Sequence, residues 1–91
     1  MLREIETQSG FKCTINEDVL DDMELLDLMI EIDTDKDNQL LYYNQIMNKL
    51  ITKDTKKSLY DHIRTEDGRV PSESFKNELM AIFDCLKNKK K

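Results

Sequence analysis

Three aspartates at alternate positions are the side chains whose spacing most directly suggests chemistry in this chain. The stretch EIDTDKDNQL places Asp33, Asp35 and Asp37 between two apolar runs. Calcium-binding EF-hand loops begin in this way, with oxygen ligands from positions 1, 3, 5, 7, 9 and 12 of the loop. With Asp33 at position 1, the first three ligands match the pattern, and position 8 is the apolar Leu40.

The second half of this loop departs from the EF-hand pattern. Position 6, usually glycine, is Asn38, which adopts the left-handed backbone conformation less readily than glycine does. Position 12 is Asn44, whose neutral amide offers one oxygen, whereas the usual glutamate offers two oxygens and a negative charge. EF-hands also usually occur in pairs, yet aligning Gly68 with position 6 of a second loop puts Ile63 at position 1, where it cannot bind a metal.

Two interpretations of the acidic stretch therefore stay open. In one, Asp35, Asp37 or Asn38 caps the second helix, and the stretch is a solvated connection between helices. In the other, three carboxylates beyond the end of the first helix, where the helix dipole disfavours them, hold a cation weakly. We expect no metal site, and we keep as the alternative a small calcium-binding module that uses Asp33, Asp35, Asp37 and Asn44.

No other group of residues predicts an enzyme. His62 is the only histidine and lies beside Asp61 on a helical pattern, a setting typical of a structural side chain. Cys13 and Cys85 are far apart, form no CxxC unit and, together with His62, lack the spacing of a zinc site. Free thiols are typical of a cytosolic protein. Since phosphate-binding glycine loops and Ser-His-Asp or paired-carboxylate arrangements are also missing, we expect a non-enzymatic protein without a cofactor.

Charge is distributed unevenly along the chain, whose net charge is −5. Residues 1–35 contain eleven acidic and two basic residues, whereas residues 36–91 contain eight acidic and twelve basic residues. An acidic protein does not neutralise phosphates, so we expect no nucleic-acid partner. No apolar run reaches the length that spans a bilayer, and the first ten residues have no signal-peptide character, so we expect no membrane association.

The N-terminal segment predicts a β-hairpin. Apolar and polar residues alternate in residues 2–7 and 11–15, and the QSG turn between them supplies Gly10 for a positive φ angle. A two-stranded hairpin is only marginally stable alone, so we expect it to pack against helices.

The strongest apolar pattern follows the hairpin and predicts a first helix. Asn16 is a candidate N-cap for the run EDVLDDMELLDLMIEI. One apolar stripe of this run has helical spacing and consists of Val19, Met23, Leu26 and Ile30. Four further apolar residues widen the stripe to well over half of the circumference: Leu20, Leu25, Leu28 and Met29. We therefore expect this helix to be the central one, with contacts on several sides.

Three further helices complete the pattern. The second is predicted in residues 38–50, where one apolar face consists of Leu40, Tyr43, Met47 and Leu50, with Ile46 beside them. The third is predicted in residues 52–63, where apolar residues also recur at helical spacing. Gly68 predicts a turn after the third helix, and Pro71 with Ser72 marks the start of the fourth.

Together these patterns predict a mainly α fold, with an N-terminal β-hairpin followed by about four short helices in one compact bundle. The prediction treats residues 1–86 as a single domain and residues 87–91, which contain four lysines, as a basic flexible tail.

The apolar stripe of the fourth helix has two interpretations. Leu79, Ile82, Phe83 and Leu86 recur at three- and four-residue spacing, and such a stripe usually belongs to the core. Because this amphipathic helix is also the element nearest the end of the chain, the same four residues are the candidate partner-binding surface.

Two longer segments resemble a known protein family. SGFKCTINEDVLDDMELLDLMIEID and LYDHIRTEDGRVPSESFKNELMAIF look like the small tail assembly chaperones of long-tailed bacteriophages and prophages of Gram-positive bacteria. The most specific pieces are LDDMELLDLMIEID and HIRTEDGRVP, and the resemblance runs over residues 9 to about 86. Those proteins are similar in size, mainly helical and acidic, and they are not enzymes.

The resemblance implies a binding function. Such chaperones coat the long, apolar, helical tape measure protein before the tail tube polymerises around it, and they help to recruit the major tail tube protein. These two proteins are the implied partners, and homo-oligomers are a corollary because many copies must bind one client. The implied location is the cytoplasm of the bacterial host, since such chaperones are not part of the mature virion.

The lysine-rich end KNKKK fits the same resemblance. These phages often make a longer chaperone form by translational frameshifting near the end of the short reading frame. Lysine codons are rich in adenine, so a lysine run is compatible with a slippery sequence, although a solvated basic tail is the simpler interpretation. An adenine-rich heptamer with an overlapping downstream frame would distinguish the two.

Overall fold

Two strands and four α-helices make up the fold in the computed structural model, which describes residues 1–87. Short 3₁₀ segments, Glu17–Leu20 and Lys36–Asn38, precede the first and second α-helix. The strands and helices are β1 (Leu2–Glu6), β2 (Lys12–Asn16), α1 (Met23–Thr34), α2 (Gln39–Leu50), α3 (Lys53–Ile63) and α4 (Ser72–Lys87). The predicted mainly α fold with an N-terminal hairpin and four helices is confirmed.

The hairpin forms because its alternating pattern and its turn agree. β1 and β2 pair antiparallel, with Ile5 opposite Cys13. Gly10 has a φ angle of +94°, which a side chain would disfavour, and its N–H donates to the carbonyl of Thr7 at 2.9 Å. Because successive side chains of a strand point to opposite faces of the sheet, the alternating apolar residues lie on one face. This face packs on the core, where Ile5, Cys13 and Ile15 are buried.

Polar contacts hold the turn of the hairpin on the helices. The Thr7 hydroxyl, which is buried, donates to Oε1 of the buried Glu78 on α4 at 2.9 Å. The Ser9 hydroxyl lies 3.0 Å from Nε2 of His62 on α3, and the His62 ring packs on Phe11 with 5.6 Å between ring centroids. These contacts supply the support that a two-stranded sheet lacks by itself.

The segment after the hairpin is not one continuous helix, which corrects the prediction. Asn16 does act as a cap, because its side chain accepts from the Asp18 N–H at 3.0 Å, but it caps only the 3₁₀ segment. Asp22 has an extended backbone, and its side chain accepts from the Glu24 N–H at 2.9 Å, so that α1 begins at Met23. Aspartate side chains that bond to nearby backbone groups compete with helix continuation, which explains the break.

The central position predicted for the first helix is also wrong. Leu25 is the one buried residue of α1, while Leu28 and Ile32 are partly buried. α1 lies antiparallel on α2: Lys49 near the end of α2 contacts Glu24 at the start of α1. One neighbouring helix covers one side of α1, and the rest of its broad apolar surface stays outside the core.

The core lies between α2, α4 and the hairpin. The apolar faces predicted for α2 and α4 are largely confirmed, with Ile46, Met47, Leu79 and Ile82 each 0 % exposed. Leu40, which shares the predicted face of α2, is 53 % exposed because it lies in the first turn, beyond the core. The buried residues that α2 and α4 contribute are Tyr43, Ile46, Met47, Leu50, Phe75, Glu78, Leu79, Ile82 and Leu86.

The connections at the third and fourth helices follow local rules. Thr52 caps α3 by accepting from the Thr55 N–H at 3.2 Å. Gly68 has a φ angle of +92° in the predicted turn, and α4 begins at Ser72, directly after Pro71. Among residues 1–87, no helix is long and apolar enough to cross a membrane.

The predicted basic tail is only partly covered by the structure. Lys87, predicted as its first residue, is the last residue of α4. The remainder of that tail, residues 88–91, lies outside the described residues.

Thr7→Val is expected to destabilise the fold, because it removes the hydroxyl that donates to the buried Glu78 carboxyl. Leaving a buried polar group unpaired costs about 1–3 kcal/mol. Thr14→Val, at an exposed position of β2, is the matched control, with an expected change within about 0.5 kcal/mol. Urea unfolding followed by circular dichroism measures both; equal effects would contradict a specific role for the Thr7–Glu78 bond.

Candidate functional site

An exposed apolar surface on α1 and the turn before it is the most unusual surface feature of the described chain. Its five large side chains are between 41 % and 69 % exposed. We call this surface the α1 face, and its residues are Leu20, Met23, Leu26, Met29 and Ile30.

The α1 face follows from helical spacing. Met23, Leu26 and Ile30 are three and four residues apart, so they lie along one side of α1. Leu25 and Ile32 lie on other sides of the helix, where Leu25 is buried in the core and Ile32 is partly buried against it. Single exposed apolar side chains are ordinary, but a contiguous set is typical of surfaces that bind a protein, a ligand or a membrane, or that aggregate.

A groove extends the α1 face toward the end of α4. Its volume is about 250 Å³, and Lys87 is the charged residue at its rim. Phe83 and Leu86 of α4 form the wall opposite α1. The full lining consists of Leu20, Leu25, Leu26, Met29, Phe83, Leu86 and Lys87. An apolar side chain from a partner would therefore find an apolar recess beside the face.

Carboxylates border the other side of α1. Glu24, Asp27 and Glu31 are exposed and line a second groove, of about 320 Å³, between α1 and α2. Lys49 of α2 reaches into it, with Nζ 3.1 Å from Glu24 and 3.3 Å from Asp22. The α1 face thus has an acidic border on the α2 side and a basic residue, Lys87, on the α4 side.

The predicted partner-binding residues on α4 lie mostly in the core. Leu79 and Ile82 are 0 % exposed, and Leu86 is 1 % exposed, because this face of α4 packs on α2 and the hairpin. Leu79 and Ile82 therefore lie inside the fold, and Leu86 contributes only the edge of its side chain to the groove beside the α1 face. Phe83 is partly buried, and of the four it has the most surface in the groove beside the α1 face.

The acidic stretch Asp33–Asn44 is not folded as a calcium loop. Asp33 belongs to the last turn of α1 and Asn44 to the second turn of α2. The Asn44 side-chain carbonyl accepts from Lys56 of α3, away from the connection. Within residues 1–87, no three His, Cys, Asp or Glu side chains are grouped as a metal site.

Asp35 is instead tied into the connection between α1 and α2. Its carboxylate accepts from the Asn38 amide at 2.9 Å and from the Tyr42 hydroxyl at 2.8 Å. These two bonds, the first more than the second, hold the pKa of Asp35 below its ordinary value. The same bond to Asp35 raises the pKa of Tyr42 to about 12. The aspartate therefore has a local structural partner in place of a ligand.

The cysteines and the histidine do not form a reactive centre in the described chain. Burial first, and then the nearby Cys85 and Glu78, together raise the pKa of the Cys13 thiol to about 11, so the thiol stays protonated at neutral pH. Cys85 donates to the Glu6 carbonyl at 3.4 Å, and both cysteines are free. Spacing in the sequence does not reveal the contact between Ser9 and His62. Among residues 1–87, no carboxylate bonds to the other ring nitrogen of His62.

Comparisons with protein-family models, with curated proteins and with solved structures found no match to this chain. The α1 face therefore has to be interpreted from its own geometry.

Substitution of two adjacent leucines tests whether the α1 face is open. Leu25 is 2 % exposed and Leu26 is 45 % exposed. We expect Leu25→Ala to lower the free energy of unfolding by about 2–5 kcal/mol and Leu26→Ala by about 1 kcal/mol or less, since alanine suits a helix as well as leucine does. Chemical denaturation at low protein concentration measures both. Similar losses at the two positions would mean that the face is covered.

Tyrosinate absorbance tests the connection between α1 and α2. Tyr42 is expected to ionise near pH 12, and Asp35→Asn should move this ionisation toward the ordinary pKa of 10.0. Because the pKa is raised by folding, the Tyr42–Asp35 bond stabilises the fold fully below pH 10.0, and this stabilisation is lost as the pH rises through about 12. Asp33→Asn is the control and should leave the Tyr42 transition unchanged. A late transition that survives Tyr42→Phe would contradict the assignment.

Proposed function

We propose that this protein is a non-enzymatic tail assembly chaperone that binds apolar helical segments of the tape measure protein and helps to recruit the major tail tube protein. The α1 face carries the proposal: it is an apolar helical surface left open on an otherwise acidic protein. The resemblance of residues 9 to about 86 to tail assembly chaperones names the client.

Helix-on-helix docking suits the shape of the α1 face. Met23, Leu26 and Ile30 form an exposed stripe, and the groove between α1 and α4 offers a recess beside it. Amphipathic helices dock on such surfaces through apolar residues at three- and four-residue spacing. Covering the apolar side of a client helix would keep it from aggregating with other apolar surfaces.

The size of the face predicts weak binding by one copy. Its five side chains are already about half covered, so their full burial contributes about 1 kcal/mol each. Loss of translational and rotational freedom offsets much of that sum. A long client would therefore be covered by many copies that bind weakly and leave readily, which agrees with a factor that is not kept in the mature virion. Many copies side by side are also the reason to propose homo-oligomers.

Methionines in the α1 face favour a client of variable sequence. Met23 and Met29 are two of its five residues. Their unbranched, polarizable side chains adapt to differently shaped apolar surfaces, and promiscuous binders use them for this purpose. A chaperone that binds repeated but non-identical helical segments of one long client needs this property.

The proposed location is the cytoplasm of the bacterial host. Both cysteines are free, as expected in a reducing compartment. No contact among residues 1–87 favours the calcium-binding alternative, since α2 already begins at Gln39, in the middle of the twelve-residue stretch, and Asn44 is bonded to Lys56.

Co-expression with the tape measure protein tests the proposal. The wild-type chain should raise the soluble yield of the tape measure protein and co-purify with it, whereas Leu26→Asp should abolish both effects because it places a charge in the apolar face. Leu41→Asp is the control, since Leu41 is 53 % exposed but lies on α2.

Circular dichroism of the purified variants would establish that both remain folded. The proposal fails if the tape measure protein is equally insoluble with and without the wild-type chain. It also fails if Leu26→Asp and Leu41→Asp have the same effect on its solubility.

A further inference from the structure

The negative charges of α1 lie along one side of the α1 face. Glu24, Asp27 and Glu31 recur at three- and four-residue spacing, so they form a row that runs beside the apolar stripe for about 10 Å. The acidic row and the stripe share one helix, so any helix that docks on the stripe passes beside the row.

Only part of the acidic row is neutralised by the residues that the structure describes. Lys49 pairs with Glu24 at 3.1 Å and with Asp22 at 3.3 Å. Among residues 1–87, no salt bridge reaches Asp27 or Glu31, and Glu31 accepts one hydrogen bond, from the Tyr42 hydroxyl at 3.3 Å. Within the described chain, two exposed carboxylates at the edge of an apolar surface are therefore left without a cation.

The opposite edge of the face has different chemistry. Phe83 and Leu86 form its wall, and the exposed Lys87 stands at its rim. An acidic row on one edge and an apolar wall with a basic residue on the other distinguish the two sides of a partner helix.

We propose that the α1 face selects an amphipathic helix whose apolar stripe is bordered on one side by Lys or Arg at three- and four-residue spacing. The proposal rests on the proposed function, because it names the kind of client helix that this surface takes. Basic side chains of such a helix lie opposite Asp27 and Glu31, and its apolar residues cover Met23, Leu26 and Ile30. Complementary charge selects the partner and its orientation, while apolar burial supplies most of the affinity.

A second copy of the chain fits this surface less well. Antiparallel packing of two α1 helices would set the acidic row of one copy against the acidic row of the other. Like charges placed together disfavour such a pair. The charge arrangement thus favours a basic partner helix over antiparallel self-association through this face.

The length of the stripe sets the length of the partner segment. Within α1 the stripe runs from Met23 to Ile30, which corresponds to about two helical turns or about eight residues of a docked helix. Basic residues are needed on one border of those turns, and a longer client would present such segments repeatedly.

Titration of the full chain with three fluorescent helical peptides tests the proposal. The peptides, of about 18 residues so that they form helices, share one apolar stripe and carry Lys, Gln or Glu along one border. At low salt we expect the Lys peptide to bind about threefold to tenfold more tightly than the Gln peptide, and the Glu peptide to bind more weakly than both. High salt should reduce these differences because it screens exposed charges.

Two double variants distinguish the effect of the acidic row on peptide preference from the effect of the protein's net charge. Asp27→Asn with Glu31→Gln should remove most of the preference for Lys over Gln while leaving affinity for the Gln peptide unchanged. Glu4→Gln with Glu66→Gln removes the same charge from exposed positions outside α1 and should keep the preference. Loss of the preference in both double variants would overturn the proposal in favour of a general effect of net charge.

The remaining outcomes distinguish this proposal from the proposed function. Binding of all three peptides with equal affinity, still abolished by Leu26→Asp, would overturn charge selection and leave docking on the α1 face intact. Binding of none of them, with no rise in tape measure solubility on co-expression, would overturn both. Dimers that form through Leu26 and resist the Lys peptide in sedimentation velocity would show that a second copy is the occupant, and would also overturn the proposal.

Discussion

The packing of α2 against α4 beneath the hairpin is the contact on which the rest of the structure depends. Ile46 and Met47 of α2 and Leu79 and Ile82 of α4 are fully buried, and the hairpin adds Ile15 to the same core. A chain of this length supports one small core, and its radius of gyration is 13.1 Å. Once this core is complete, α1 can pack only at its margin, so most of the apolar surface of α1 remains uncovered.

The sequence predicts which side of each helix is apolar more reliably than which helix is central. The alternation in β1 and β2, the turn glycines and the buried faces of α2 and α4 were all predicted, because each depends on local spacing. The position of α1 was not predicted correctly. Its apolar circumference suggested a central helix, but burial depends on how much covering surface the other elements offer, and no pattern within α1 records that.

The acidic connection between α1 and α2 shows that prediction from sequence has the same limit for single side chains. Alternating aspartates at 33, 35 and 37 match the start of a calcium loop, yet spacing along the chain does not specify where neighbouring helices end. Asp35 binds Asn38 and Tyr42, and Asn44 turns toward Lys56. Asp22 likewise ends one segment by capping the next. An aspartate before a helix usually accepts hydrogen bonds from backbone N–H groups and from side-chain donors nearby. It becomes a calcium ligand only where several oxygen atoms converge on one point.

An exposed apolar helix on a small protein favours non-specific association with other apolar surfaces. The carboxylates of α1 limit this association. Burial of apolar surface gives affinity but discriminates little between partners, because the hydrophobic effect is non-directional. Asp27 and Glu31 stand without salt bridges in the described chain, so they remain hydrated and repel other acidic surfaces, including another copy of α1. The same two charges become favourable beside a basic helix. In the proposed selection of client helices, the feature that keeps the face open in the free protein is therefore also the feature by which it discriminates among partners.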